Sequence, residues 1–238
     1  MSDSDNISGA CGSVAGRFGG CVSLAYDRLI RPHLPRKVGV YSGVPVRQPR
    51  LLDVTDVDSN YKSDLLVALE SEIRPGDEVN VIGAGYGVSS VVAAEATGKT
   101  GHITVYEAAK AWADRMGETM DLNQVPPDRY SVRHALVGPA VDVDGDMGEA
   151  DRMHPNDLPE CGVLEMDCEG AELGIIQNLA MSPRSIIVET HPSKNSPTSK
   201  VMAALSDQGY DPERVGDDPE DGAIVAARRC EEVLDCAE

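Results

Sequence analysis

Acidic and histidine side chains stand directly after three apolar runs of this chain. Asp167 and Glu169 follow one run, His191 follows a second, and Glu107 closes a third. A carboxylate or an imidazole accepts the proton of an alcohol, and a carboxylate accepts hydrogen bonds from both hydroxyls of a ribose. We therefore predict Asp167, Glu169 and His191 as catalytic bases, with His191 and Asp167 ranked first, and Glu107 as a ribose contact. The alternatives are a solvated acid at 107 and a structural carboxylate at a helix start for 169.

A glycine-rich turn lies before Glu107 in the sequence. Gly83, Gly85 and Gly87 follow the apolar run 79–82, and a helical pattern begins at Val88. A turn with so few side chains lets a cofactor lie against backbone amides. The dinucleotide fingerprint needs its third glycine where this chain has Val88, which disfavours NAD. The spacing suits S-adenosylmethionine, which has no phosphate. An ordinary turn between a strand and a helix is the alternative.

Two further stretches carry a resemblance to a known family. Residues 165–172 read Glu-Met-Asp-Cys-Glu-Gly-Ala-Glu, and residues 189–191 read Glu-Thr-His. Together with the glycine turn, they resemble the FkbM-type family of S-adenosylmethionine-dependent methyltransferases over about residues 60–210. The chain departs from the family pattern at two positions. Glu165 stands where the family usually has a basic residue. The stretch Asn80-Val81-Ile82-Gly83 stands where the family usually has an acidic residue before its glycine turn, as in Asp-x-Gly.

The resemblance implies a class I methyltransferase that methylates a hydroxyl of a sugar, a glycan or a small metabolite. The implied cofactor is S-adenosylmethionine, and the implied partner is a small-molecule or glycan acceptor. The residues expected to bind the cofactor are Gly83, Gly85, Gly87, Glu107, His134 and Asp167. Of these, His134 lies where similar enzymes hold the adenine edge, and a partly buried structural histidine is the alternative.

The elements that must position these residues alternate between strand and helix. Their patterns predict strands at 77–82, 102–106, 129–135, 162–166 and 185–189, two more within 210–228, and helices at 63–73, from 88, at 108–122, 171–180 and 197–209. Such alternation gives a doubly wound α/β fold. With the resemblance, we expect a mostly parallel, seven-stranded, Rossmann-like methyltransferase sheet with helices on both faces. Ligands of such sheets bind at the carboxyl ends of the strands, which gathers the candidate residues at one edge.

The sequence predicts three regions. Residues 1–60 form an amino-terminal extension, partly disordered, with a weak helix at 15–30, that acts either as a lid or as a packing arm. Residues 61–228 form the methyltransferase domain, and residues 229–238 form a polar tail.

A metal site is a weaker interpretation of the same residues. Oxygen ligands with one imidazole suit a divalent ion, and some small-molecule O-methyltransferases hold magnesium at strand-end carboxylates. The residues that could contribute are Asp167, Glu169, Glu189 and His191. We nevertheless predict no metal ligand.

The composition is strongly acidic. Forty Asp and Glu against 21 Lys and Arg give a net charge of −19, spread along the chain, and only 4% of residues are aromatic. This pattern is typical of a protein from a halophile, where salt screens self-repulsion, and an ordinary acidic protein is the alternative. The charge disfavours nucleic acid as a partner. There is no apolar run of about 20 residues and no basic, apolar start. We therefore predict a cytoplasmic protein without a membrane span.

Three other functions stay open. One is methylation of RNA or protein, although the only basic cluster of the sequence is Arg47–Arg50. A second is an NAD-dependent reductase, which Val88 disfavours. The third is a non-catalytic Rossmann-like module that keeps the fold and loses turnover.

Overall fold

The computed structural model describes residues 26–54, 56–141, 145–217 and 222–230. The chain divides into two compact units, Met1–Tyr61 and Lys62–Glu238. The predicted disorder near the amino terminus, most of the predicted helix 15–30 and most of the predicted tail 229–238 lie outside the described residues.

The first unit contains a small sheet. In its described part the strands are β1 (Gly39–Tyr41), β2 (Val44–Val46) and β3 (Val57–Asp58). β1 pairs antiparallel with β2 and parallel with β3. The Asp53 carboxylate accepts two hydrogen bonds from Arg31, at 3.0 and 2.7 Å, and one from the backbone N–H of Arg50, at 2.8 Å. Tyr26–Ile30, at the end of the predicted weak helix, is a π-helical turn. The role of this unit as a lid or a packing arm stays a prediction.

The second unit alternates helices and strands. Its helices are α1 (Ser63–Glu72), α2 (Val88–Ala96), α3 (Lys110–Leu122), α4 (Glu172–Gln177) and α5 (Thr198–Asp207). Its strands are β4 (Glu78–Ile82), β5 (His102–Glu107), β6 (Tyr130–Val137), β7 (Asp151–Met153), β8 (Val163–Met166), β9 (Ser185–Glu189), β10 (Tyr210–Asp217) and β11 (Ala223–Arg229). Every helix and strand predicted for this unit is present. Their ends differ from the predicted ends by up to three residues.

Within the described residues, eight strands form the large sheet, in the order β10-β11-β9-β8-β4-β5-β6-β7. The pairs from β9 to β7 are parallel, whereas β11 runs antiparallel to both β9 and β10. The prediction of seven strands is therefore wrong, and the sheet is mixed. The unexpected strand is β7, which pairs with the end of β6. Three residues in a polar segment show no alternation, so the pairing with β6 defines this strand and the local pattern does not.

Helices flank the sheet on both sides. From β4 the chain runs through α2 to β5 and through α3 to β6, and then returns to β8 on the other side of β4. Right-handed crossovers in opposite directions place α2 and α3 on one face and α4 on the other. α1 packs against α2, and α5 packs against α4. The two layers are therefore α1–α3 and α4–α5.

The core lies between the sheet and each helix layer. Leu164 and Met166 of β8 belong to one buried cluster with Ile175 and Ile176 of α4. Glu165 lies between the first two on the strand, so its side chain points to the opposite face, where it is 1% exposed. In the part of the chain that the structure describes, no helix combines the length and apolar character needed to cross a membrane.

Candidate functional site

The carboxyl ends of β4, β5, β8 and β9 meet at one edge of the sheet. The strand order reverses between β4 and β8, so the connections that follow these two strands leave in opposite directions. Such a switch point forms the ligand crevice of open α/β sheets. The glycine turn, Glu107, Asp167 and His191 follow the four strand ends. The fold therefore brings these predicted residues to one edge.

The glycine turn packs directly on the end of β8. Its three glycines have positive φ, of 97° at Gly83, 48° at Gly85 and 82° at Gly87. A Cβ on Gly83 would lie 1.9 Å from the carbonyl oxygen of Asp167, which no side chain tolerates. The backbone N–H of Gly83 also donates to the carbonyl of Tyr106 at 2.9 Å. Glycine at 83 is therefore required by the packing of the protein itself, in addition to any ligand.

The Glu107 carboxylate braces the same turn. It is 9% exposed, and it accepts the backbone N–H of Ala84 at 2.9 Å and that of Ala109 at 2.8 Å, one on each oxygen. Burial raises the pKa of Glu107 above its usual value, although these N–H bonds oppose the rise. The backbone N–H of Ala108 also lowers the pKa of this group. Two carboxylate oxygens accept about four hydrogen bonds in all, so the side chain is fixed in place and keeps some acceptor capacity.

His134 lies within β6, beside Glu107 at the end of β5. The two residues are partners in the parallel register of β5 and β6. The Nε2 atom of His134 lies 3.1 Å from the carbonyl oxygen of Ala108, so this nitrogen donates to the backbone. The contact fits the structural alternative for this histidine. Its role at the adenine edge stays a prediction.

His191 lies between two carboxylates. Its Nδ1 is 2.8 Å from Oε1 of Glu172, and its Nε2 is 3.5 Å from Oδ1 of Asp167. The same oxygen of Glu172 accepts the backbone N–H groups of Cys168 and Gly170, each at 3.1 Å. Glu172 is the first residue of α4 and is fully buried. It anchors both the imidazole ring and the turn after β8.

The charge state of this pair follows from its surroundings. Burial by itself lowers the pKa of His191, but the hydrogen bond and negative charge of Glu172, together with the charges of Asp167 and Glu169, outweigh it and raise that pKa to about 9. Burial raises the pKa of Glu172, yet its hydrogen bond and charge interaction with His191 bring it below the usual value. Both groups are therefore charged at neutral pH. In this state His191 is a proton donor, and it becomes a base only after losing a proton.

Glu169 makes its contacts on the other side of the turn. Its φ is +59°, and its carboxylate pairs with the ammonium of Lys194. Next to it, a Cβ on Gly170 would lie 2.0 Å from the carbonyl oxygen of Lys194. The turn after β8 is thus pressed against the loop that follows β9. These contacts fit the structural alternative for Glu169, and its catalytic role stays a prediction.

Sequence reasoning missed Lys62. Its ammonium donates to Oε2 of Glu189 at 2.8 Å and also pairs with the Asp167 carboxylate. These partners are 127 and 105 residues away along the chain, so no spacing rule connects them. The local sequence gives no signal either, because Lys62 simply precedes a helix. Only the fold makes it a member of the site.

Glu165 lies buried on the same face of β8 as Asp167. The hydroxyl of Ser89 lies 3.5 Å from its Oε2. Burial raises the pKa of Glu165 well above its usual value, the charge of Asp167 raises it further, and Lys62 opposes the rise. Burial therefore favours the neutral form of Glu165. This residue adds a polar group beneath the site.

The strand-end residues also have the spacing of metal ligands. Asp167, Glu189 and His191 each offer one ligand atom, and these atoms lie within 4.8 Å of one another. Glu169, which was weighed with them, pairs with Lys194 instead. Two carboxylates and one imidazole suit a divalent ion. The Lys62 ammonium, however, contacts both carboxylates of this group.

Solved structures with a similar fold include SAM-dependent methyltransferases. A SAM-dependent O-methyltransferase from Thermotoga maritima matches with a TM-score of 0.50 and 14% identity, over 72% of this chain and 66% of its own. P. horikoshii TYW2 in complex with MeSAdo matches with a TM-score of 0.51 and 17% identity, over 81% and 70%. An O-methyltransferase family protein from Burkholderia thailandensis matches with a TM-score of 0.50 and 11% identity, over 73% and 57%.

At these identities the similarity shows the fold alone. This chain spans just under two thirds of the Thermotoga protein and 57% of the Burkholderia protein. No protein-family model and no curated protein sequence matches the chain. The large mixed sheet with flanking helices is thus the Rossmann-like fold of SAM-dependent methyltransferases. The FkbM resemblance and the halophilic origin stay predictions.

Proposed function

We propose that this chain is an S-adenosylmethionine-dependent methyltransferase that transfers a methyl group to a hydroxyl of a sugar, a glycan or a small metabolite. One observation carries the proposal. The glycine turn and the buried Glu107 carboxylate are hydrogen-bonded to each other at the switch point of the sheet. The cofactor class is supported by two neighbours of the same fold, a SAM-dependent O-methyltransferase and a protein, TYW2, that was solved in complex with MeSAdo.

The ribose of the cofactor would bind at Glu107. Two backbone N–H bonds already fix the plane of this carboxylate. The acceptor capacity that the carboxylate keeps suits the hydroxyls of a ribose. Hydrogen bonds to a buried carboxylate are stronger than the same bonds in water. Gly83, Gly85 and Gly87 would leave room for the cofactor along the turn, with His134 and Asp167 as its remaining contacts.

Asp167 is the proposed base. Methyl transfer is an in-line displacement at a sulfonium, so the protein must align the acceptor hydroxyl and remove its proton. The Asp167 carboxylate follows β8 directly and is 16% exposed, so it is open to a substrate. His191 is charged near neutral pH, which suits a group that orients Asp167 from 3.5 Å. Glu169 is the third candidate, and its pairing with Lys194 ranks it below the other two.

The test is methyl transfer itself. The protein is incubated in molar potassium chloride with methyl-labelled S-adenosylmethionine and a panel of sugars, glycans and hydroxylated metabolites. Label transfer and release of S-adenosylhomocysteine are then measured. Asp167→Asn and His191→Ala should each lower turnover about 10²–10⁴-fold, and His191→Ala should do so with little change in cofactor affinity. Asp114→Asn, on the exposed side of α3, is the matched control and should keep full turnover.

The same assay separates the rival functions. Full turnover in both Asp167→Asn and His191→Ala would remove the proposed base. Label found only in RNA or protein would replace the hydroxyl of a small molecule as the acceptor. Cofactor binding without turnover on any acceptor would favour the non-catalytic module.

A further inference from the structure

Lys62 adopts a backbone conformation that lysine rarely takes. It is the residue before the first turn of α1, with φ 49° and ψ 31°. This left-handed conformation costs free energy for any residue with a Cβ, and glycine is its usual occupant. A strained residue persists when its surroundings hold it there, and such residues cluster at functional sites. The carbonyl of Lys62 accepts a hydrogen bond from the N–H of Leu66 at the start of α1, and its ammonium makes contacts farther along the chain.

The ammonium lies among negative groups. It donates to Oε2 of Glu189 at 2.8 Å and pairs with the carboxylate of Asp167, and these side chains are 7% and 16% exposed. Two carboxylates so near each other and so far from water repel strongly unless a cation lies between them. A lysine ammonium is a compact point charge with three donors. It can therefore bridge two carboxylates.

The bridged carboxylates are the same groups that have the spacing of a metal site. Asp167, Glu189 and His191 offer ligand atoms within 4.8 Å of one another. A divalent ion at that position would bind the same two carboxylates that Lys62 already contacts. The ammonium and a metal ion therefore compete for these two carboxylates.

We propose that the Lys62 ammonium is the built-in cation of this site, in the place of a divalent metal ion. It neutralises and aligns Asp167 and Glu189, and so acts as a positioning residue. The link to catalysis rests on the proposed function, in which Asp167 is the base. The competition between the ammonium and a metal ion does not depend on the proposed function, because it involves only residues of this chain and the ion.

The test is a gain of metal binding when the ammonium is removed. Lys62→Gly removes the side chain and suits the left-handed backbone, so the variant keeps its fold. Metal-free protein without cofactor is titrated with Mn²⁺, and free Mn²⁺ is followed by its paramagnetic resonance signal. Lys62→Gly should bind Mn²⁺ at least about tenfold more tightly than the wild type, because two carboxylates have lost their cation. Lys110→Met is the matched control, since its ammonium pairs with Asp114 on an exposed helix surface and its loss should change nothing.

Two further variants locate the effect. Lys62→Arg keeps the charge and should bind Mn²⁺ no better than the wild type. Lys62→Gly combined with Asp167→Asn should lose the gained affinity. The proposal is overturned if Lys62→Gly binds Mn²⁺ no better than the wild type. It is equally overturned if the wild type itself binds Mn²⁺ tightly through Asp167.

This experiment is independent of the methyltransferase assignment, because it needs neither cofactor nor turnover. A protein that fails to bind S-adenosylmethionine and gains Mn²⁺ affinity on loss of Lys62 refutes the proposed function alone. Where methyl transfer is established, wild-type turnover should be unchanged by EDTA. A loss of turnover in EDTA that Mg²⁺ restores would contradict a built-in cation.

Discussion

The His191–Glu172 pair is the most strongly constrained group of single residues. Both side chains are nearly or fully buried, so each charge has lost most of its hydration. The pair regains free energy from its own contact at 2.8 Å and from two backbone N–H bonds to Glu172. Among the described residues, the second oxygen of Glu172 is buried without a hydrogen-bond partner. Removing either member therefore leaves an uncompensated buried charge, which costs more than the pair contributes.

The pH dependence of folding should report this pair. The pKa of His191 rises from 6.5 to about 9 on folding, so the folded protein holds a proton that the unfolded chain releases at lower pH. The resulting stabilisation is fully present below pH 6.5 and is lost as pH rises through 9. It amounts to roughly 3 kcal/mol. Urea unfolding at several pH values between 6 and 10 should show the free energy of unfolding falling across this range.

A variant of Glu172 tests whether the dependence of the free energy of unfolding on pH comes from this pair. Glu172→Gln removes the negative partner, so the pKa of His191 should fall and the slope between pH 6.5 and 9 should flatten. A wild type as stable at pH 10 as at pH 6.5, or a Glu172→Gln variant with an unchanged slope, would contradict the account of the charged pair.

At the scale of elements, the glycine turn joins β4 to the end of β8. Gly83→Ala places a Cβ against the carbonyl oxygen of Asp167 at a φ of 97°. We expect a loss of about 2–5 kcal/mol from the left-handed strain and the backbone clash together. Gly98→Ala is the matched control, since its φ is 63° and nothing lies within 4 Å of the added Cβ. It should cost about 1 kcal/mol, from strain alone. Equal losses in urea unfolding would refute the packing role of Gly83.

The elements differ in how far the sequence could predict them. β9 was predicted at its observed ends because Ser185–Glu189 is a buried apolar run. β4 and α2 were predicted because the glycine turn separates their two patterns. β7 was not predicted, because its three residues form a strand only by pairing with β6. The periodicity of apolar residues indicates which side chains are buried. It does not indicate which strands pair through backbone hydrogen bonds.

The residues of the site also differ in how far the sequence could predict them. Residues that directly follow strands could be predicted, since the edge of a parallel sheet gathers them. Lys62 could not, because its contacts depend on where α1 begins relative to β8 and β9. The full burial of Glu172 could not be predicted either. The stretch 165–172 contains several acidic residues, and the sequence does not distinguish the buried ones from the exposed ones. Single-sequence patterns therefore found the edge of the site and missed its inner ion pairs.

At the scale of the whole molecule, the net charge of −19 dominates. Self-repulsion of such a surface extends about 10 Å at 0.1 M salt and about 3 Å at 1 M. Raising potassium chloride from 0.1 to 1 M should therefore stabilise the fold by about 1–3 kcal/mol, or roughly 3–10 °C in Tm. Thermal unfolding followed by circular dichroism measures this. A Tm that stays constant or falls with salt would contradict the halophilic interpretation, which, with the cytoplasmic location, stays a prediction from composition.

The most direct test of the central claim is a calorimetric titration, in molar potassium chloride, with S-adenosylhomocysteine and separately with NADH. The account predicts micromolar binding of S-adenosylhomocysteine, no binding of NADH, and a loss of about 1–3 kcal/mol in Glu107→Ala. Glu70→Ala, on the exposed side of α1, should bind as the wild type does. Binding of NADH alone, binding of neither ligand by the folded protein, or an unchanged affinity in folded Glu107→Ala would contradict the account.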